Sequence, residues 1–151
     1  MNTNEIYLKQ EFPVKANQIF FDHAKVSPLP RRVCDAVNDF IIDASEYGTK
    51  NYKKWMMEVE RVRGQFACLI NGDIDEVAFI KNTSEGVSIV ANGLDWQAGD
   101  NVVIPDIEFP SNVYPWWNLK RLGVETRMVK AKDGRILFDD LVNHTDNRTR
   151  I

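Results

Sequence analysis

The most informative stretch of the sequence is VAFIKNTSEGVSIVANGLDWQAGDNVVI, residues 77–104. It opens with four apolar residues at 77–80, which predict a strand, and continues with an apolar helical pattern over residues 84–94. A second predicted strand over residues 101–104 closes it. A helix between two strands is typical of a βαβ unit, in which the strands run parallel. The stretch therefore predicts an α/β fold.

Two predicted helices precede this unit, and the alternation of strands and helices continues after it. Upstream, apolar residues at three- and four-residue steps predict amphipathic helices over residues 31–47 and 52–70. Downstream, the pattern predicts a helix, a strand, a short helix and the start of another strand, over residues 112–122, 124–129, 138–143 and 149–151. We expect a mainly parallel sheet with helices on its faces. Because the last predicted strand would be entering a sheet, we also expect the chain to be a fragment.

Composition and charge narrow the class of protein. Of the 151 residues, 44% are hydrophobic and 27% charged, which excludes disordered and collagen-like classes. The formal net charge of −3 provides no basic surface for nucleic acid. Cys34 and Cys68 are too few for a disulfide scaffold. Residues 1–12 lack a signal-peptide pattern, and no apolar run approaches the ~20 residues of a membrane helix. We therefore expect a cytoplasmic protein without a membrane partner, and the net charge makes a nucleic-acid partner unexpected as well.

A candidate anion-binding turn, Asn82-Thr-Ser-Glu-Gly86, links the first predicted strand to the helix that follows it. The start of a helix offers unpaired N–H groups and the positive end of the helix dipole, to which Thr83 and Ser84 add hydroxyl donors. The alternative is a plain helix cap on Thr83, although Gly86 stands where a capping box needs an acid or amide. The pattern alone leaves both interpretations open.

A second candidate loop, Asp106-Ile-Glu-Phe-Pro-Ser-Asn112, follows the next strand. In open α/β sheets ligands bind beyond the carboxyl ends of the strands, so we expect the two loops to open on the same side and to share a ligand. Phe109 would then offer a flat apolar face to an aromatic ring, stiffened by Pro110. The alternative is that Phe109 packs against Val113 as a hydrophobic staple.

The remaining titratable candidates carry weaker signals. His23 follows Asp22 and could form an acid–base pair, but a hydrogen-bonded structural histidine is commoner. His144 lies in a polar helix end and is expected to be solvated. We therefore assign no catalytic residue and no metal ligand from the residues alone.

Three segments occur in a fixed order: Phe21-Asp-His-Ala24, Asn82-Thr-Ser-Glu-Gly86, and Glu108-Phe-Pro-Ser-Asn112 followed by Pro115-Trp116. Together they resemble the N-terminal portion of a class V aminotransferase. This family of fold type I pyridoxal-phosphate enzymes also includes cysteine desulfurases and isopenicillin-N-epimerase-like proteins. The resemblance implies a partial three-layer α/β/α arrangement with a mainly parallel sheet, the N-terminal part of the fold type I large domain.

The resemblance also implies which residues would contact the cofactor and the substrate. Thr83 and Ser84 would bind the phosphate of pyridoxal 5′-phosphate, and Phe109 would cover its pyridine ring. His23 and Ala24 would lie near the carboxylate of an amino-acid substrate, although Lys25 stands where the family has a small residue. Desulfurases of the family usually have histidine at the position of Phe109, so phenylalanine favours aminotransferase-like or epimerase-like members. The intact enzyme is expected to be a homodimer.

The same resemblance divides the chain in two. Residues 1–48 would form an N-terminal segment of strand, loop and helix, partly in contact with the small domain or the dimer partner. Residues 49–151 would form an incomplete cofactor-binding large domain that ends before the Schiff-base lysine, so the fragment itself is expected to be inactive. The alternatives are a desulfurase or selenocysteine lyase-like member, and a non-catalytic module for a phosphate or nucleotide. The second would normally carry a glycine-rich fingerprint or P-loop, and neither occurs here.

Overall fold

The computed structural model describes residues 3–24 and 26–151, which form two compact units, Met1–Val77 and Ala78–Ile151. The expected division after residue 48 concerns domains of the family fold and stays a prediction. Among the described residues, no helix is both long enough and apolar enough to cross a membrane.

The first unit is helical. It contains α1 (Thr3–Glu11), a 3-10 turn (Pro13–Ala16), α2 (Arg31–Tyr47), α3 (Tyr52–Ile70) and a second 3-10 turn (Ile74–Glu76). The predicted bounds of α2 and α3 are confirmed. Gly48 and Asn71 end these helices with positive φ angles of 56°, a conformation that glycine and asparagine adopt most readily. Asp43 joins the two helices by accepting a hydrogen bond of 2.8 Å from the Trp55 indole.

Two predicted strands do not form within the described residues. Phe21-Asp-His-Ala24, the segment that resembles the family's opening strand and substrate-side loop, contains no strand, and neither do residues 77–80. Side chains at 77–80 remain largely exposed, with Phe79 at 48% and Ile80 at 45%. An apolar run indicates that a segment can pair, but a strand also needs a neighbouring strand to supply its hydrogen bonds. The prediction of a strand at 77–80 was therefore wrong for this structure.

The second unit contains the sheet. In chain order its elements are α4 (Thr83–Gly93), β1 (Asn101–Pro105), a 3-10 turn (Pro110–Asn112), α5 (Tyr114–Trp117), a second 3-10 turn (Asn118–Leu122), β2 (Glu125–Val129) and α6 (Phe138–His144). Strands β1 and β2 are parallel, paired from Asn101 opposite Glu125 to Pro105 opposite Val129. The single helix predicted over residues 112–122 is instead divided among short helical turns. Pro115, which has no N–H, lies in the first turn of α5.

The predicted strand start at residues 149–151 is supported by its pairing with β1. Thr149 forms a parallel bridge with Asn101, and the Arg150 N–H donates to the Asn101 carbonyl at 3.0 Å. The Val103 N–H in turn donates to the Ile151 carbonyl at 2.9 Å. The described part of the molecule is thus mixed α/β with a small parallel sheet, while the three-layer arrangement stays a prediction.

One apolar core holds the second unit together. Its buried members come from α4, from one face of β1, and from the segment that leads to β2, and they are Ala91, Val102, Ile104, Val113, Trp116, Leu119 and Val124. Burying an aliphatic or aromatic side chain contributes about 1.5–3 kcal/mol, so this cluster fixes α4 and α5 against the sheet. The two loops that carry the predicted site residues therefore leave a common rigid base.

A cluster of polar side chains connects residues 146–151 to the start of β1 by hydrogen bonds. Asn101, which is fully buried, donates through Nδ2 to Asp146 Oδ1 at 2.9 Å and accepts from the Thr149 hydroxyl at 2.8 Å. Asp146 also receives a hydrogen bond from Arg127 Nη1 at 2.8 Å. The hydrogen bonds from Arg127, from the Arg148 amide and from Asn101 lower the pKa of the Asp146 carboxyl to about 2. We call these contacts the Asn101 latch.

Candidate functional site

Helix α4 begins with two backbone donors that have no partner among the residues that the structure describes. Its N-cap is Asn82, whose side-chain oxygen accepts from the Glu85 N–H at 2.9 Å, while its carbonyl accepts from the Gly86 N–H at 3.2 Å. The N–H groups of Thr83 and Ser84 make no hydrogen bond with any described residue. The cap is therefore Asn82, and the interpretation of Thr83 as the cap was wrong. The cap uses only the third and fourth amides of the helix, so it does not occupy the first two.

The charge of the acidic residue in this turn is compensated. Glu85 accepts from the Lys81 N–H at 2.8 Å through one carboxylate oxygen and lies 3.2 Å from the Lys81 ammonium through the other. The hydrogen bond from the Lys81 N–H to Glu85 connects the residue before the N-cap to the first turn of the helix. Gly86 lies where an added Cβ would collide with the Ile80 side chain. The Glu85 carboxylate is therefore paired with Lys81, and Ile80 packs close against the Gly86 backbone.

Ser84 and Phe109 line one open cavity of about 400 Å³, which we call the site cavity. The remaining lining residues come from α4 and from the segment between β1 and β2: Ser88, Asn92, Pro110, Ser111, Tyr114, Pro115 and Asn118. Thr83 directly precedes Ser84 in the chain and is not among the lining residues. The structure thus brings together two of the three residues predicted to contact the cofactor.

Phe109 presents its ring to solvent at the rim of this cavity. It is 74% exposed, so it does not pack as a buried staple, whereas Val113, the expected partner of that staple, is a core residue at 8%. Unpaired amides, a serine hydroxyl and an open aromatic face within one region match the chemistry of a phosphorylated aromatic ring. The residues present therefore fit pyridoxal 5′-phosphate, while their individual roles stay predictions.

Sequence reasoning missed the polar wall of the site cavity. Ser84, Ser88 and Asn92 follow one another at four-residue steps along α4, so they share one helix face. The Asn92 amide donates to the Ser88 carbonyl at 2.7 Å, and its oxygen accepts from Arg121 at 3.4 Å. That spacing is visible in the sequence and could have identified the wall.

His23 and Ala24, the predicted substrate-side residues, belong to the first unit. His23 packs edge-on against Phe20 with ring centroids 5.2 Å apart, and its carbonyl accepts from the Ser27 hydroxyl at 3.1 Å. It lines a mostly apolar cavity of about 480 Å³ together with residues such as Phe12. No described contact pairs His23 with Asp22, and Lys25 lies outside the described residues. The role of His23 and Ala24 at a substrate stays a prediction.

Comparison with known proteins gives one family. The profile of the family described as "Aminotransferase class-V" matches residues 19–151. A probable cysteine desulfurase of Methanothermobacter thermautotrophicus is 32% identical over 156 aligned positions, which cover 96% of this chain and 38% of that protein. A cysteine desulfurase of Escherichia coli is 30% identical over 95% of this chain and 39% of its own length. An uncharacterized aminotransferase of Schizosaccharomyces pombe is 30% identical over 78% of this chain and 30% of its own length.

Solved structures show the same fold. A variant of C-DES with glycine covalently linked to its pyridoxal-phosphate cofactor superposes with a TM-score of 0.82 at 23% identity, over 94% of this chain and 39% of that one. The cysteine desulfurase CsdA of Escherichia coli superposes with a TM-score of 0.78 at 20% identity, over 99% of this chain and 40% of that one. The chain thus spans about two fifths of the proteins it resembles.

Proposed function

Because this chain belongs to the class V aminotransferase family, we propose that it carries the phosphate-binding turn and the ring-covering residue of a pyridoxal-phosphate enzyme that acts on an amino acid. The observation that supports this most strongly is the site cavity, which contains Ser84 and Phe109 beside the unpaired start of α4. The amino-acid substrate, the homodimer and the cytoplasmic location rest on the resemblance and on composition, and they stay predictions.

Each group in the site would have a separate task. The Thr83 and Ser84 amides and the Ser84 hydroxyl would donate hydrogen bonds to the phosphate, aided by the dipole of α4. The Phe109 ring would cover one face of the heterocycle and keep water away from it. When bound, pyridoxal phosphate supplies an electron sink for reactions at the amino-acid α-carbon, and the protein orients it.

Ligand binding to this chain tests the proposal directly. The probe is pyridoxamine 5′-phosphate, whose amine does not form imines with surface lysines, and it is compared with inorganic phosphate by titration calorimetry. Ser84→Ala should raise the Kd of both probes about tenfold, because one hydrogen bond to a charged acceptor is lost. Phe109→Ala should weaken pyridoxamine 5′-phosphate and leave inorganic phosphate unchanged.

The control variant is Ser45→Ala, which changes an exposed serine on α2 and should alter neither Kd. Absence of saturable pyridoxamine 5′-phosphate binding, or binding that ignores both site variants, would contradict the proposal. The different effect of Phe109→Ala on the two Kd values is essential. At a general anion site, only Ser84→Ala would change them.

A second candidate, cysteine desulfuration, is supported by the names of the relatives. Both the Methanothermobacter and the Escherichia coli relatives carry that description. The phenylalanine at position 109 favours a different member of the family, since a phenyl ring cannot exchange protons as a histidine can. Incubation of the protein, in the full length that its gene encodes, with L-cysteine and a thiol reductant separates the two, because a desulfurase forms sulfide and alanine in equal amounts.

A further inference from the structure

We infer that Trp116 and Asn112 are positioning residues for Phe109, which they hold at the rim of the site cavity through a chain of hydrogen bonds. The inference rests on the proposed function, because it concerns the residue that would cover the cofactor ring. Neither residue is predicted to touch the ligand, and neither lines the site cavity.

The chain begins in the apolar core. Trp116 is only 5% exposed and packs among the core residues, and its indole N–H is its sole polar group. That N–H donates to Asn112 Oδ1 at 3.0 Å. A buried donor needs a partner, so this bond fixes the side chain of Asn112 relative to the core.

The chain continues through the backbone of the loop. The Asn112 N–H donates to the Phe109 carbonyl at 2.8 Å and closes the 3-10 turn over Pro110–Asn112. The Val113 N–H makes a similar bond to the Pro110 carbonyl at 3.1 Å. Each end of the turn is therefore connected to a core residue, through Trp116 on one side and Val113 on the other.

Phe109 depends on this turn because its own side chain has little to pack against. With 74% of its surface exposed, the ring depends for its position at the cavity rim on the backbone that carries it. A backbone already ordered before binding does not lose that freedom on binding, which favours affinity. Loosening the turn should therefore weaken ring binding and leave phosphate binding at α4 unchanged.

The test uses the full chain, with two variants and two matched controls. Asn112→Ala removes the acceptor, and Trp116→Phe removes the donor while keeping an aromatic ring in the core. Asn143→Ala changes an exposed asparagine on α6, and Trp117→Phe changes the neighbouring tryptophan, which is 47% exposed and whose indole N–H has no partner among the described residues. Calorimetry measures the Kd of pyridoxamine 5′-phosphate and of inorganic phosphate for each.

We expect Asn112→Ala and Trp116→Phe each to raise the Kd of pyridoxamine 5′-phosphate about tenfold, with inorganic phosphate and both controls unchanged. The double variant should bind no more weakly than either single one, because both changes break the same bond. A merely structural role would shift the unfolding midpoint and leave the ratio of the two Kd values as in the wild type. That result would overturn the inference.

Hydrogen exchange at the amide of position 112 provides a readout that needs no ligand. Trp116→Phe should speed this exchange, since the turn loses its anchor, and Trp117→Phe should not. If the wild type binds pyridoxamine 5′-phosphate and Phe109→Ala weakens it while Asn112→Ala does not, the inference fails and the proposed function stands. If the wild type does not bind the probe, the proposed function fails, and unchanged exchange at position 112 would independently overturn the positioning role.

Discussion

Replacing Asn101 by alanine should open the latch that holds residues 146–151 on β1. The change removes the donor to Asp146 and the acceptor for the Thr149 hydroxyl, bonds of 2.9 and 2.8 Å, from a side chain that is fully buried. Each bond is worth about 1 kcal/mol net, and the exposure of Asp146 lets water replace part of the loss. With the lost packing of the amide, we expect the free energy of unfolding to fall by about 2–3 kcal/mol.

Urea denaturation of the full chain, followed by tryptophan fluorescence, measures this change. Trp96 and Trp116 both lie in or against the core of the second unit and report its unfolding. Hydrogen exchange adds a local readout at the Arg150 amide, which donates to the Asn101 carbonyl. This amide should exchange faster in Asn101→Ala even under conditions where the unit remains folded.

The control is Asn143→Ala, an exposed position where we expect a change within about 0.5 kcal/mol. Asn101→Asp is a sharper variant, because it keeps an acceptor for Thr149 and places a buried carboxylate opposite Asp146. It should be at least as destabilising as Asn101→Ala. A loss below about 0.5 kcal/mol for Asn101→Ala, with unchanged exchange at Arg150, would refute the latch.

Two further predictions concern the same unit. Leu119→Ala empties a fully buried core position and should lower the unfolding free energy by about 2–5 kcal/mol, measured from the urea midpoint at constant slope. The lowered pKa of Asp146, from its usual 3.8 to about 2, stabilises the folded state above the unfolded pKa. That contribution should be lost as the pH falls from about 4 towards 2, with a smaller loss in Asp146→Asn, as thermal unfolding across this range would show.

Helices α2 and α3 of the first unit were predictable because their signals are local, whereas the sequence analysis did not predict α1. The apolar positions of α2 and α3 recur at helical spacing, and Gly48 and Asn71 provide the left-handed ends, so both bounds agree with the structure. The strand at 77–80 was not predictable in the same way. Its apolar side chains are a local property, but its hydrogen-bonding partner must come from elsewhere in the fold.

The candidate site shows the same limit. The resemblance to the family pointed to Ser84 and Phe109, and the two residues line one cavity even though the strand predicted at 77–80 does not form. The N-cap is Asn82, one residue before the predicted Thr83, in keeping with the stronger capping preference of asparagine. The bond from Trp116 to Asn112 spans four residues, yet nothing in the sequence shows that the indole points inward.

The start of α4 has a consequence for how the chain can vary. Two of its candidate anion donors, the Thr83 and Ser84 amides, are main-chain groups that every amino acid except proline possesses. Substitution of Thr83 or Ser84 would remove the side-chain hydroxyl and keep the backbone N–H, unless the new residue were proline. The proposed anion donors at the start of α4 would therefore survive substitutions at both positions by any residue other than proline.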